Sequence, residues 1–115
     1  MGTPTIDAAT FEALKETTGA EFAVELIDTF LGDAPVMLGD LRSALAAQDA
    51  DRFRRAAHSL KSNGNTFGAL TLGIMARELE LGGLAAALEG GTARLDVLEQ
   101  EYARVAAALK VLRNA

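Results

Sequence analysis

Apolar residues recur at helical spacing along almost the whole chain, and no stretch alternates with period two between turn signals. Pro stands only at positions 4 and 35, and the helix formers Ala and Leu are the commonest residues, so the pattern predicts an all-helical fold. Asp7 is placed to N-cap a short helix reaching about Thr17, which Gly19 stops. A second helix is predicted from Glu21 to Leu31, with Phe22, Leu26, Ile27 and Phe30 on its inner face and Gly32 at its end. Asp33 would cap a third, with Pro35 in its first turn and Leu38, Leu41 and Leu45 as its stripe.

Asp49 to Asp51 mark the next boundary. A fourth helix is expected from about Asp51 to Asn65, burying Phe53, Ala56, Ala57, Leu60 and Gly64. A break at Phe67 and Gly68 leads into a fifth from Ala69 to about Leu81, weakened at Gly82-Gly83 and ended by Gly90-Gly91. Thr92 opens the last, where Leu95, Leu98, Tyr102, Val105, Leu109 and Leu112 form a seam at alternating spacings of three and four. Helices of this length with short connections predict an antiparallel, up-and-down four-helix bundle, with one or two short additional N-terminal helices. Residues 1–115 read as a single domain, without linker, repeat or low-complexity tract.

Composition narrows the chemistry. With no Cys and one His, thiolate nucleophiles, zinc ribbons and two-histidine metal sites are excluded. The net charge of -5 argues against a binder of nucleic acid, and no apolar run approaches the roughly 20 residues a bilayer span needs. Met1 to Ile6 lacks the features of a signal peptide, and with no cysteines a cytoplasmic location is expected. The glycines from Gly82 to Gly91 match neither nucleotide-binding glycine pattern, so no ATP site is visible.

The one histidine lies on the polar side of the fourth helix. At roughly 100° per residue, His58 is about 140° from Phe53 and points outward, with Arg54, Lys61 and Asn65 beside it and Ser62 and Arg55 further round. From Arg52 to Lys61 the chain carries four cations and no acidic residue, a local reversal of charge that calls for an anionic ligand or partner. An exposed imidazole is partly neutral at neutral pH and offers one ring nitrogen as a nucleophile. Were the electrophile a phosphoryl group, Lys61 at i+3 would screen its oxygens, and the small Ser62 and Gly64 would leave the approach open. Arg54 and Arg55 are candidate docking residues, although Asp51 is an i+4 partner for Arg55. Asn65 either bonds near the phosphoryl group or helps to end the helix. Gly73, costly inside a helix, implies close approach of a neighbour, expected to be the helix bearing His58.

The run His58-Ser59-Leu60-Lys61-Ser62, followed by Asn63-Gly64-Asn65-Thr66-Phe67-Gly68-Ala69, resembles the signature of histidine phosphotransfer (HPt) domains. That signature is a His-x-Leu-Lys-(Gly or Ser) block followed by an apolar-Gly-Ala turn. Leu41 to Asp51 resembles the lead-in, Ala56-Ala57 the small pair before the histidine, and Glu78-Leu79-Glu80 the acidic end of the next helix, so the similarity covers about Phe30 to Leu81. Many family members carry Gly where this chain has Ser62.

The resemblance implies a phosphorelay intermediate. His58 would accept a phosphoryl group from a receiver-domain aspartate on its distal ring nitrogen and pass it to another response regulator. Lys61 would stabilise the phosphorylated ring, and Gly68 would hold the turn. The expected partners are receiver domains or a hybrid histidine kinase. No autokinase or ATPase activity and no cofactor of its own are expected, the Mg²⁺ being supplied by the receiver; the chain is expected to be a monomer. Two alternatives compete: a helical adaptor or sequestering protein without phosphoryl chemistry, and the phosphoacceptor region of a histidine kinase. The latter predicts an acidic residue directly after the histidine, where this chain has Ser59, and a second, catalytic domain.

Overall fold

The computed structural model describes residues 5–90 and 92–114, and the secondary structure among them is helical throughout. Five helices follow one another: α1 (Ala8–Thr18), α2 (Ala20–Ala47), α3 (Ala50–Thr66), α4 (Leu70–Gly90) and α5 (Ala93–Arg113). Helices α2 to α5 form the antiparallel bundle, and the short α1 packs on α2 and α3. No described helix is long and apolar enough to cross a membrane.

The helix boundaries follow from local chemistry. The Asp7 carboxylate accepts the Thr10 amide at 3.0 Å and so satisfies a free N–H at the start of α1. Asp49 does the same for α3 by accepting the Arg52 amide at 3.1 Å. Gly19 ends α1 at φ +89°, a conformation that L side chains resist. Gly90 is the last residue of α4, whereas Gly91, predicted to share in that stop, and Pro4 lie outside the described residues. Gly83, at φ +71°, interrupts α4 where the glycine pair predicted weakness.

The predicted break at Gly32 and Asp33 does not occur, for α2 runs unbroken for 28 residues with Pro35 inside it. Ala23, Ile27, Phe30, Ala34, Leu38, Leu41 and Leu45 form one continuous buried stripe through that region. A proline in a helix interior costs about 3 kcal/mol, and each large apolar side chain fully buried returns roughly 1.5–3 kcal/mol. The continuous seam therefore outweighs the local punctuation. The inner face is also shifted by one residue at its start: Ala23 is buried, whereas Phe22, predicted inside, is 49% exposed. Leu26 is half-buried at the edge of the core.

The centre of the core is formed by Leu41, Phe53, Leu60, Leu72, Leu98 and Leu109, all fully buried. Phe30 stacks obliquely on Phe67 at 5.2 Å and takes the edge of Tyr102 at 5.9 Å, joining α2, the α3–α4 turn and α5. Along α5, Leu95, Leu98, Val105 and Leu109 are buried, while Tyr102 and Leu112 complete the seam at its margin.

The most extensive helix pair is α3 with α4, and its tightness begins at the turn between them. Gly68 adopts φ +84°, and a Cβ there would lie 2.8 Å from the Asp7 carbonyl oxygen. Asp7 also donates its amide to the Gly68 carbonyl at 2.8 Å, so the turn seats the start of α1. Further along, the missing side chain of Gly73 makes a notch that the Asn65 side chain fills, since a Cβ at 73 would fall 2.1 Å from Asn65 Oδ1. Gly64 is buried at the same crossing, and its carbonyl accepts the Ala69 amide at 2.9 Å.

Candidate functional site

The apolar residues of α3 lock the rotation of that helix. Phe53, Ala57 and Leu60 point into the core, which leaves the opposite side for His58, whose side chain is 57% exposed. Glu80 on α4 comes from across the helix pair and sits mostly covered between the two helices.

One carboxylate serves two partners. Glu80 Oε2 lies 2.6 Å from His58 Nδ1, and Glu80 Oε1 accepts Lys61 Nζ at 2.8 Å. The bond from Lys61, with a smaller contribution from His58, holds the Glu80 carboxyl below the usual glutamate range against the opposing effect of burial. An ionised carboxylate can only accept, so the short contact requires the proton on Nδ1. In the neutral imidazole, the lone pair then belongs to Nε2 on the solvent side. The arrangement thus fixes which nitrogen keeps the free lone pair, as well as the plane of the ring.

The cations predicted around the histidine are not bare. Arg52 binds Asp40 of α2 at 2.7 Å, Arg54 and Arg55 share Asp51 at 3.0 Å each, and Lys61 binds Glu80. The expected stretch of uncompensated positive charge is corrected accordingly: acidic residues of α2, α4 and the first turn of α3 neutralise much of it. Arg54 and Arg55 remain well exposed, one turn before His58.

Ser62 is exposed one turn beyond His58, and its backbone carbonyl receives the Thr66 hydroxyl at 2.9 Å. The Asn65 side chain lies over Gly73, and the Asn65 carbonyl accepts the Gly68 amide at 3.1 Å, so this residue shapes the end of α3 and its crossing with α4. Gly64 and Gly73 lie along the contact that fixes α4 relative to α3, and hence Glu80 relative to His58, while Gly68 in the turn between them packs on Asp7 and Thr10.

Glu80 is the residue that reading α3 alone could not supply. The acidic end of the following helix was visible in the sequence, but a wheel for one helix does not show which side chain of another crosses to meet it. The available signal was the pairing of Gly73 with α3: in an antiparallel pair, a contact at 73 places residue 80 about 10 Å nearer the middle of α3, at the level of His58.

The Hpt domain profile matches residues 25–108. The crystal structure of histidine-containing phosphotransfer protein B from Pseudomonas aeruginosa PAO1 superimposes with a TM-score of 0.89. It is 31% identical, and the alignment covers 98% of this chain and 97% of that one. No curated protein matches the chain. A family match over most of the chain, a shared fold and a histidine displayed on the bundle surface together make this chain a member of the Hpt domain family, the histidine phosphotransfer proteins of phosphorelay signalling.

Proposed function

We propose that His58 is the phosphoacceptor and that Nε2 is the atom that carries the phosphoryl group. The observation that carries this reading is the 2.6 Å contact of Nδ1 with the Glu80 carboxylate. In the forward step the Nε2 lone pair attacks phosphorus of a receiver's aspartyl phosphate. The N–P bond forms as the acyl P–O bond breaks, and the electron pair leaves with the aspartate carboxylate. The ring becomes an imidazolium whose Nδ1–H points at Glu80, so the charge that develops on the ring faces a fixed counter-charge. The reverse step delivers the group to another receiver and restores the neutral ring.

Lys61 anchors Glu80 and adds positive charge within one turn of the reacting nitrogen. Arg54, Arg55, Ser62 and Asn65, with the exposed Leu70, Ile74 and Leu81 of α4, make the surface on which a receiver docks, one apolar strip beside one polar strip. The Mg²⁺ of the transfer belongs to the receiver, and the chain acts as a monomeric phosphocarrier of one domain, without autokinase or ATPase activity.

Intact-mass spectrometry at neutral pH, after mixing with phosphorylated receiver domains, tests this reading. The wild type gains one acid-labile phosphoryl group and His58→Gln gains none; label persisting on the variant would place the acceptor elsewhere. No label on either, with active donors and folded protein, would favour an adaptor without phosphoryl chemistry.

A further inference from the structure

Phosphoryl transfer to His58 brings about two negative charges on the phosphoryl oxygens, and the side chains around the ring differ in what they have left to offer them. Lys61 is already bound to Glu80, which offsets much of its charge. Arg54 and Arg55 divide one carboxylate between them, and Arg52 is held by Asp40. Among the described residues, the cations with no carboxylate in ion-pair contact are Arg77, Arg94 and Lys110. Arg94 lines a groove between α4 and α5 with Met75, Glu78 and Val97, away from α3, and Lys110 lies in the last turn of α5.

Arg77 belongs to the face of α4 that looks at α3. Gly73 meets Asn65, and Glu80 meets His58 and Lys61. Residue 77 lies four positions after one and three before the other, so it falls on the same stripe. Because the helices run antiparallel, the level of residue 77 on α4 corresponds to Lys61 and Ser62 on α3. At roughly 100° per residue it is turned about 40–60° further toward solvent than Gly73 and Glu80, onto the side where His58 is exposed. Its neighbours on that rim are Leu70, Ile74 and Leu81, which are 38%, 59% and 70% exposed. A partner covering these apolar groups would also take water away from the guanidinium, which strengthens its attraction for an anion.

We infer that Arg77 is the cation that engages the phosphoryl oxygens on phosphorylated His58 from the rim of α4, a role that rests on His58 being the phosphoacceptor. A guanidinium suits it, since it presents parallel N–H donors to two oxygens at once and stays protonated throughout. Lys61 then fixes Glu80 while Arg77 meets the incoming charge, a division between two cations that resemble each other only in sign.

The test is the equilibrium of phosphoryl exchange with one receiver domain, measured for wild type, Arg77→Gln, Arg77→Lys and His58→Gln at low and at about 1 M salt. At low salt Arg77→Gln shifts the equilibrium toward the phosphorylated receiver by about two- to fivefold, the size expected of a partly exposed ion pair, and Arg77→Lys restores part of it. At high salt the difference shrinks, because screening at 1 M acts within about 3 Å. An equilibrium unchanged in Arg77→Gln at low salt overturns the inference. So does a shift that neither salt nor Arg77→Lys reduces, which would indicate a structural effect. A wild type that takes no label, or a His58→Gln variant that does, instead defeats the reading of His58 itself.

Discussion

Two sides of the bundle are each closed by charged side chains, and they use them differently. Between α2 and α5, Arg42 grips two carboxylates, donating Nε to Glu99 at 2.9 Å and Nη2 to Asp96 at 2.6 Å. The bonds from Glu99 and then Asp96 push the Arg42 pKa further above its already high value. Arg113 adds a two-pronged pair to Asp28 between the same helices. Between α3 and α4 the ratio is inverted, because one carboxylate serves two nitrogens, one of them in an imidazole ring. The first side is a clamp whose charges are fully occupied. The second holds a side chain in place while leaving its outer nitrogen open, and the role proposed for His58 rests on that difference.

The comparison breaks first at the histidine. His58→Gln abolishes phosphoryl labelling while circular dichroism stays that of the wild type, because the side chain is 57% exposed. The opposite pattern is expected of core truncation: Leu60→Ala costs about 2–5 kcal/mol in denaturant unfolding, since the side chain is fully buried.

Exchanging the two networks sharpens the contrast. Glu80→Gln slows transfer by about tenfold or more, the worth of a hydrogen bond to a charged group, because a neutral amide no longer supplies the counter-charge to the imidazolium that forms. Arg42→Ala leaves the transfer rate unchanged and lowers stability by at most about 1 kcal/mol, as its pairs are partly exposed. A transfer rate that falls equally in both variants would erase the distinction.

The α3–α4 turn gives an effect of intermediate size. Gly68→Ala forces a side chain into positive φ and against the Asp7 carbonyl, and should cost about 1–3 kcal/mol. Acidification probes the site directly. The Glu80 carboxyl is held below its usual range, so its contribution to stability is complete above that range and disappears as pH falls through the lowered value. Urea midpoints of wild type and Glu80→Gln should therefore differ at pH 7 and converge on the acid side, whereas a constant gap would assign the stabilisation to something other than this carboxylate. The smallest expected effect is a gain: Gly32→Ala, in an exposed helical position with nothing within 4 Å of the new Cβ, should stabilise by about 0.5–1 kcal/mol.

What the sequence disclosed follows the range of the interactions. The histidine, its outward direction and the core face of α3 were legible because they depend on spacing within one helix. The caps at Asp7 and Asp49 and the turn at Gly68 were legible because they depend on residues a few positions apart. Gly32 and Pro35 misled for the same reason: both are local signals, and the burial of Ala34 between Phe30 and Leu38 that overrides them comes from packing against the rest of the bundle. Phe22 reads as an inner residue by its bulk, whereas the smaller Ala23 takes the core position. Glu80 joined the site only once the helices were placed side by side, and the compensation of the α3 cations by Asp40 and Glu80 was hidden by the same distance along the chain.

The central claim is that Glu80 commits the proton to Nδ1 and leaves Nε2 as the acceptor. It is tested most directly by nitrogen NMR of protein labelled with ¹⁵N in its single histidine, recorded before and after phosphorylation by a receiver domain. The account predicts a protonated Nδ1 in the free protein and phosphorus coupling at Nε2 in the product. Coupling at Nδ1, or a ring whose tautomer is the same in wild type and Glu80→Ala, would contradict it.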